Sequence, residues 1–161
     1  NDISSLEDEN LLDIVKSNKL SISLMHMLGT PKTMKIDPSY DNFVDTIYDY
    51  LKNKAELCVK HGIDKNNIII DPGFGFGKTL NHNYMILNNL KKFSEMGYRV
   101  LSGISRKSMI GDVLDKPATD RLYGTLAASV GEIKNNTSIL RVHDVRETKM
   151  LLNFKELIRN S

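Results

Sequence analysis

The stretch Ile68-Ile69-Ile70-Asp71-Pro72-Gly73-Phe74-Gly75-Phe76-Gly77-Lys78-Thr79 decides how the chain is read. A short apolar run ends on a carboxylate and breaks into a glycine-rich turn. Consecutive isoleucines suit a strand covered on both faces, as in a parallel sheet with helices outside. Asp71 then falls at the strand end, where such sheets bind ligands.

Gly77-Lys78-Thr79 also supplies the end of a phosphate-cradling Gly-x-x-x-x-Gly-Lys-Ser/Thr loop. That match fails at its first glycine, because Pro72 stands there and has no backbone N–H to give a phosphate. Gly73, Gly75 and Gly77 miss the dinucleotide fingerprint as well, and Asp71 projects where a pyrophosphate would need neutralising. A plain tight turn between strand and helix is the remaining local alternative.

Working outward, strand and helix patterns alternate. Leu11, Ile14 and Val15 fit a short helix, and Leu20 to Met27 reads as a strand. Phe43, Ile47, Leu51, Ala55 and Cys58 recur at helical spacing, so a helix after Tyr40 should turn one apolar stripe to a sheet. Asn67 to Asp71 is the next strand; Ile86, Leu87, Leu90 and Phe93 mark one helix; Arg99 to Ile104 returns as a strand. Thr119 is the expected N-cap of a helix with Leu122, Leu126, Val130 and Ile133 on one face. Ser138 to His143 is the last strand, and Met150, Leu151, Phe154, Leu157 and Ile158 form the stripe of a closing helix. This is the βα rhythm of a parallel sheet or barrel, with no linker and no second domain.

Polar residues recur where the apolar runs end: Asn1 with Asp2, His26, Asp71, Ser105 with Lys107, and His143 with Asp144. In a βα barrel those ends share one face, and active sites are built there from several strands at once.

Three segments carry a family resemblance: Asp71 to Lys78, Ser102-Gly103-Ile104-Ser105-Arg106-Lys107-Ser108-Met109-Ile110-Gly111, and Arg141-Val142-His143-Asp144-Val145. Asn1-Asp2-Ile3, and Leu24-Met25-His26-Met27 followed by Gly29-Thr30-Pro31-Lys32-Thr33-Met34, agree in order. Together they resemble the dihydropteroate synthases over essentially the whole chain. The resemblance implies an α/β fold, the (β/α)8 TIM barrel of the pterin-binding family, an architecture of about 250 residues. With 161 residues, and Asn1 matching the end of the family's fourth strand, residues 1–161 are expected to form only the C-terminal part of that barrel domain. Such a piece alone should be unstable or prone to associate, and inactive.

The family joins 6-hydroxymethyl-7,8-dihydropterin pyrophosphate to 4-aminobenzoate, releasing pyrophosphate in folate biosynthesis, and is a sulfonamide target. By resemblance, Asp71 is the carboxylate that accepts paired hydrogen bonds from the guanidine-like pterin edge. Asn1 completes pterin recognition, Lys107 reaches toward the ring, and Met25 and Gly103 form pocket walls. Arg141 and His143 match the pyrophosphate pocket; two apart on an expected strand, they would point to the same side. Phe76 and Ser105 match the 4-aminobenzoate side. Lys107, Arg141 and His143 are the expected catalytic group. Against these stand ordinary alternatives: a surface lysine for Lys107, a core aromatic for Phe76, a core hydrogen bond for His143. His26 is read as structural. Mg2+ is implied for the enzyme, with its ligand in the family's N-terminal part and no metal ligand here.

An aniline nitrogen is unprotonated at neutral pH, which suits the absence of any Ser-His or Cys-His pairing for covalent catalysis. The competing function is a pterin-binding protein without synthase activity, which would need neither Arg141 and His143 nor the Ser105 to Gly111 segment. Net charge is only +2, with Lys and Arg scattered, so no nucleic-acid partner is implied. The single cysteine, Cys58, has no partner for a disulfide and reads as a buried thiol. No run reaches membrane-span length, so no membrane and a cytoplasmic setting are expected; the resemblance implies small-molecule substrates and a homodimer.

Overall fold

The computed structural model describes residues 1–8, 10–27 and 42–159. The expected Gly29 to Met34 motif and the approach to Tyr40 lie outside the described residues. Helix α1 (Asn10–Ser17) precedes strand β1 (Ile22–Met25), helix α2 (Phe43–His61) and strand β2 (Ile68–Asp71). Helices α3 (Leu80–Asn88) and α4 (Leu90–Ser94) lead to strand β3 (Arg99–Ser102). Helices α5 (Ser108–Leu114) and α6 (Leu122–Lys134), strand β4 (Ile139–Leu140) and helix α7 (Val145–Arg159) complete the order.

The strands pair in parallel as β1-β2-β3-β4, each beside its neighbour in sequence. This is the order of an open arc of a βα barrel, as the isoleucine run suggested. Asp2 adds a parallel bridge to Leu24, so Asn1 and Asp2 are the stub of a further strand beside β1. Its main chain donates to Ser23 O at 2.9 Å and accepts from Met25 N at 3.2 Å. Met25 stands directly opposite Asp71, which fixes two strand ends at one level.

Every residue of the expected α2 stripe is buried, and the helix packs on β1 and β2. Helix α2 ends because Gly62 takes a left-handed conformation at φ 96° and its N–H turns back to the last carbonyls. Cys58 lies in that interface, free, with its thiol pushed up to about 11 chiefly by burial.

Several expectations need correction. The single helix through Ile86 to Phe93 is two, because Asn89 leaves helical geometry and its side chain bonds Met85 O at 2.8 Å, competing with the backbone. Thr119 caps nothing: it lies in the short turn Ala118–Asp120, and α6 starts after Arg121, whose guanidinium is committed to Lys116 O and Arg106 O. The buried face of α6 is Thr125, Ser129 and Glu132, while Val130 of the expected face is 40% exposed. Gly124 lets this helix approach α5, since a Cβ there would meet Ile110 Cγ2 at 2.4 Å, while Val130 and Ile133 line a groove against α7. The α7 stripe forms but faces outward, with Phe154, Leu157 and Ile158 exposed. Between α6 and α7 lies an apolar groove of about 510 Å3 lined by Val130, Ile133, Leu151, Phe154 and Ile158.

The last strand is Ile139–Leu140 rather than Ser138 to His143, because β4 has a described neighbour on one side only. Arg141 and His143 therefore stand beyond the strand, and strand pleating does not place them on one side.

Leu51 is fully buried where α2 meets the sheet. Leu51→Ala in the full-length protein is expected to lower unfolding free energy by about 2–5 kcal/mol, read as a lower denaturant midpoint at unchanged slope.

Candidate functional site

The site forms where β2 hands over to the glycine loop. Asp71, the last residue of β2, has no solvent exposure. A buried carboxylate must be hydrogen-bonded or paired, and both of its oxygens are. Oδ1 accepts from Gly73 N at 2.8 Å, and Oδ2 accepts from Arg141 Nη2 at 3.0 Å. Arg141 also donates from Nη1 to Asn1 Oδ1 at 3.1 Å. One guanidinium thus bridges the stub strand, β2 and the end of β4.

Two glycines make this approach possible. A Cβ on Gly73, at φ 74°, would come within 1.9 Å of His26 O. On Gly103, just past β3, it would meet Arg141 Nη2 at 2.7 Å, so Gly103 leaves the space in which the guanidinium lies. Of the loop's phenylalanines, Phe74 enters the core, while Phe76 is half-buried with Lys107 Nζ 4.9 Å from its ring centroid. Lys107 Nζ also donates to Phe74 O. Burial pulls its ammonium down to about 8, opposed by Asp71 and assisted by Arg141.

A second cluster joins the loops after β3 and β4. Ser105 Oγ accepts from His143 N at 3.2 Å and lies 3.0 Å from His143 Nδ1. Next to it, Arg106 forms a forked ion pair with Asp144. That pair raises the guanidinium and lowers the carboxyl from their ordinary values, the shared hydrogen bond being the main cause. Arg106 has φ 56°, and its N–H is held by Thr125 Oγ1 at 3.1 Å.

The structure thus brings Asn1, Asp71, Gly103 and Arg141 together, with Met25 beside Asp71 in register. Lys107 with Phe76, and Ser105 with His143, form adjoining contacts. Arg141 is engaged by Asp71 and Asn1, and His143 by Ser105; no shared contact joins the two.

Sequence reasoning missed two residues. Lys78, 8% exposed, points inward and donates to His26 O at 3.0 Å and Gly73 O at 2.7 Å. Asn83 accepts from Gly75 N at 2.7 Å and donates to Thr79 O at 2.7 Å, fastening the loop to α3. Thr79, the other residue of the phosphate-loop likeness, caps α3 reciprocally with His82. Local sequence gave no signal for Lys78, because a lysine after a glycine turn reads equally as solvated. The His26 ring packs edge-on to Tyr50 at 5.0 Å, and its Nδ1 has no hydrogen-bond partner among the described residues.

Among the described residues no three His, Cys, Asp or Glu side chains gather to hold a metal ion, and no helix is long and apolar enough to cross a membrane.

A parallel βα arc whose strand ends surround a buried carboxylate defines the class: a barrel-type α/β protein with a ligand site at the C-terminal ends of its strands. Within that class, the chain belongs to the pterin binding enzyme family, whose profile matches residues 1–143. It is 43% identical over 161 residues to the dihydropteroate synthase of Haemophilus influenzae, covering 100% of this chain and 58% of that protein. A Yersinia pestis dihydropteroate synthase solved with a sulfonamide drug superposes with TM-score 0.92 at 40% identity, covering 99% of this chain and 58% of the other. The Xanthomonas albilineans dihydropteroate synthase in complex with 7,8-dihydropteroate superposes with TM-score 0.91 at 33% identity, over 100% of this chain and 59% of the other. The chain spans a little over half the length of these relatives.

Burial pulls the His26 imidazole down to about 3, with nearby Lys78 acting in the same direction. Between pH 3 and 6.5 the unfolded chain therefore holds a proton that the folded chain refuses. Stability is expected to rise with pH through that window, complete above its upper end and lost toward its lower end. Unfolding free energies of His26→Gln across the same window should show a shallower slope than the parent protein.

Proposed function

We propose that the protein acts as a dihydropteroate synthase, a transferase that joins 6-hydroxymethyl-7,8-dihydropterin pyrophosphate to 4-aminobenzoate and releases pyrophosphate. Residues 1–161 would be one stretch of a barrel domain. The observation that carries this reading is the buried Asp71 carboxylate with a guanidinium on its Oδ2. The pterin edge is itself guanidine-like, so it can replace Arg141 on Asp71 group for group. The displaced arginine is then free to meet the pyrophosphate, whose oxygens gain charge as the C–O bond breaks.

Position supports the remaining roles. Asn1 offers an amide beside the same guanidinium, with Met25 and Gly103 as neighbouring walls. Lys107 lies against the glycine loop, on Phe74 O and beside the Phe76 ring, where it would reach the pterin ring. Phe76 offers an aromatic face to 4-aminobenzoate, Ser105 a hydroxyl to its carboxylate, and His143, tethered to Ser105, a donor for the leaving group. The C–O electron pair leaves with pyrophosphate, the neutral arylamine nitrogen attacks the methylene carbon, and its extra proton passes to solvent. No side-chain nucleophile is needed, so catalysis rests on positioning and electrostatics.

Mg2+ finds no ligand set among the described residues, where both Asp71 oxygens are engaged. A homodimer is part of the same proposal, supported by the exposed apolar residues Val130, Phe154 and Ile158, which association would cover.

The test is product formation by the full-length protein from dihydropterin pyrophosphate and labelled 4-aminobenzoate. Asp71→Asn should cut kcat/KM by about a hundredfold or more, since paired charge-assisted hydrogen bonds are lost. A folded protein that binds the pterin without forming dihydropteroate would favour the non-synthase reading and remove the leaving-group roles of Arg141 and His143.

A further inference from the structure

Lys78 is a buried cation for which the chemistry above has no use. Its ammonium joins two segments far apart in sequence, donating to His26 O just beyond β1 and to Gly73 O in the glycine loop. The Gly73 peptide region is thereby held from both sides, because its N–H is the donor to Asp71 Oδ1. The two carbonyl oxygens converge where main chains approach so closely that even a Cβ on Gly73 would collide with His26 O. Converging carbonyl dipoles repel, and only a donor placed between them makes that approach favourable. A cation serves both oxygens at once, and Asp71 nearby offsets its charge, while Lys107 opposes it. Burial is costly enough to pull the ammonium down to about 7.

We propose that Lys78 is a positioning residue for the pterin site: it clamps the end of β1 to the glycine loop, and through the Gly73 N–H keeps the Asp71 carboxylate turned toward its ligand. This rests on the proposed synthase reading. The next carbonyl along, Phe74 O, is held by Lys107, so consecutive carbonyls of the loop are fixed by two different lysines. Lys107 faces the candidate ligand space beside Phe76, whereas Lys78 faces the scaffold behind it. Ligand binding would draw on Lys107 and leave the Lys78 clamp in place.

The experiment uses the full-length protein with Lys78→Met, which keeps an unbranched apolar side chain one atom shorter and removes the donor. Calorimetric affinity for dihydropterin pyrophosphate is expected to fall about tenfold or more, with the KM for 4-aminobenzoate changed by less than about twofold. In an Asp71→Asn background the same change should add less than about twofold, because Lys78 acts through that carboxylate. A pterin affinity within about twofold of the parent, or a fully additive loss in the double variant, would overturn the proposal. If Lys78→Met does not fold, Lys78→Gln is judged by the same measurements. If neither folds, Lys78 serves folding rather than the site, and the proposal is rejected. A parent protein that itself fails to bind the pterin would instead remove the synthase reading.

Discussion

A fully buried carboxylate organises this protein. An isolated ionised Asp71 would be prohibitively costly at the end of an apolar strand, so its surroundings must satisfy both oxygens. One oxygen is served by the Gly73 N–H, which requires the glycine loop to turn back sharply. The other is served by Arg141, seventy residues along the chain, which requires β4 to end near β2. The left-handed glycine, the inward lysine and the open space at Gly103 all follow from bringing those two donors to one point.

The same constraint links stability to function. Breaking a buried ion pair by removing one partner is strongly destabilising, because the other charge is left uncompensated. Arg141, however, is 42% exposed on its side chain, so its departure from Asp71 opens the pair to solvent or to a competing donor. A rigid acceptor with a replaceable cationic cover suits a ligand whose recognised edge resembles that cover. The site therefore divides into a fixed floor, made of β-strand ends and the clamped loop, and exchangeable groups above it.

Around this floor the packing is uneven. The α2 side is closed to solvent, with Phe43, Ile47, Leu51 and Ile70 at or near zero exposure. The α6 and α7 side is looser and shows an apolar groove. The buried Thr148 hydroxyl on that side finds no hydrogen-bond partner among the described residues. Asp71 sits on the closed side, with β1 and β3 flanking its strand, while Arg141 and His143 come from the looser one.

Much of this was legible in the sequence. Local periodicity alone fixes the α2 stripe, since five apolar residues at helical spacing have one way to face a sheet, and the isoleucine run required a strand covered on both sides. The candidate site residues were nameable because polar groups at strand ends stand out against apolar runs. Tertiary structure decided what local pattern could not. Which face of α6 is buried depends on how near its neighbours can come, and the end of β4 on having a partner strand. Lys78 turns inward because two distant carbonyls converge on it, and Arg141 meets Asp71 and Asn1 rather than sharing a contact with His143. Those outcomes are set by groups from separate strands meeting in space, and no window along one strand contains them.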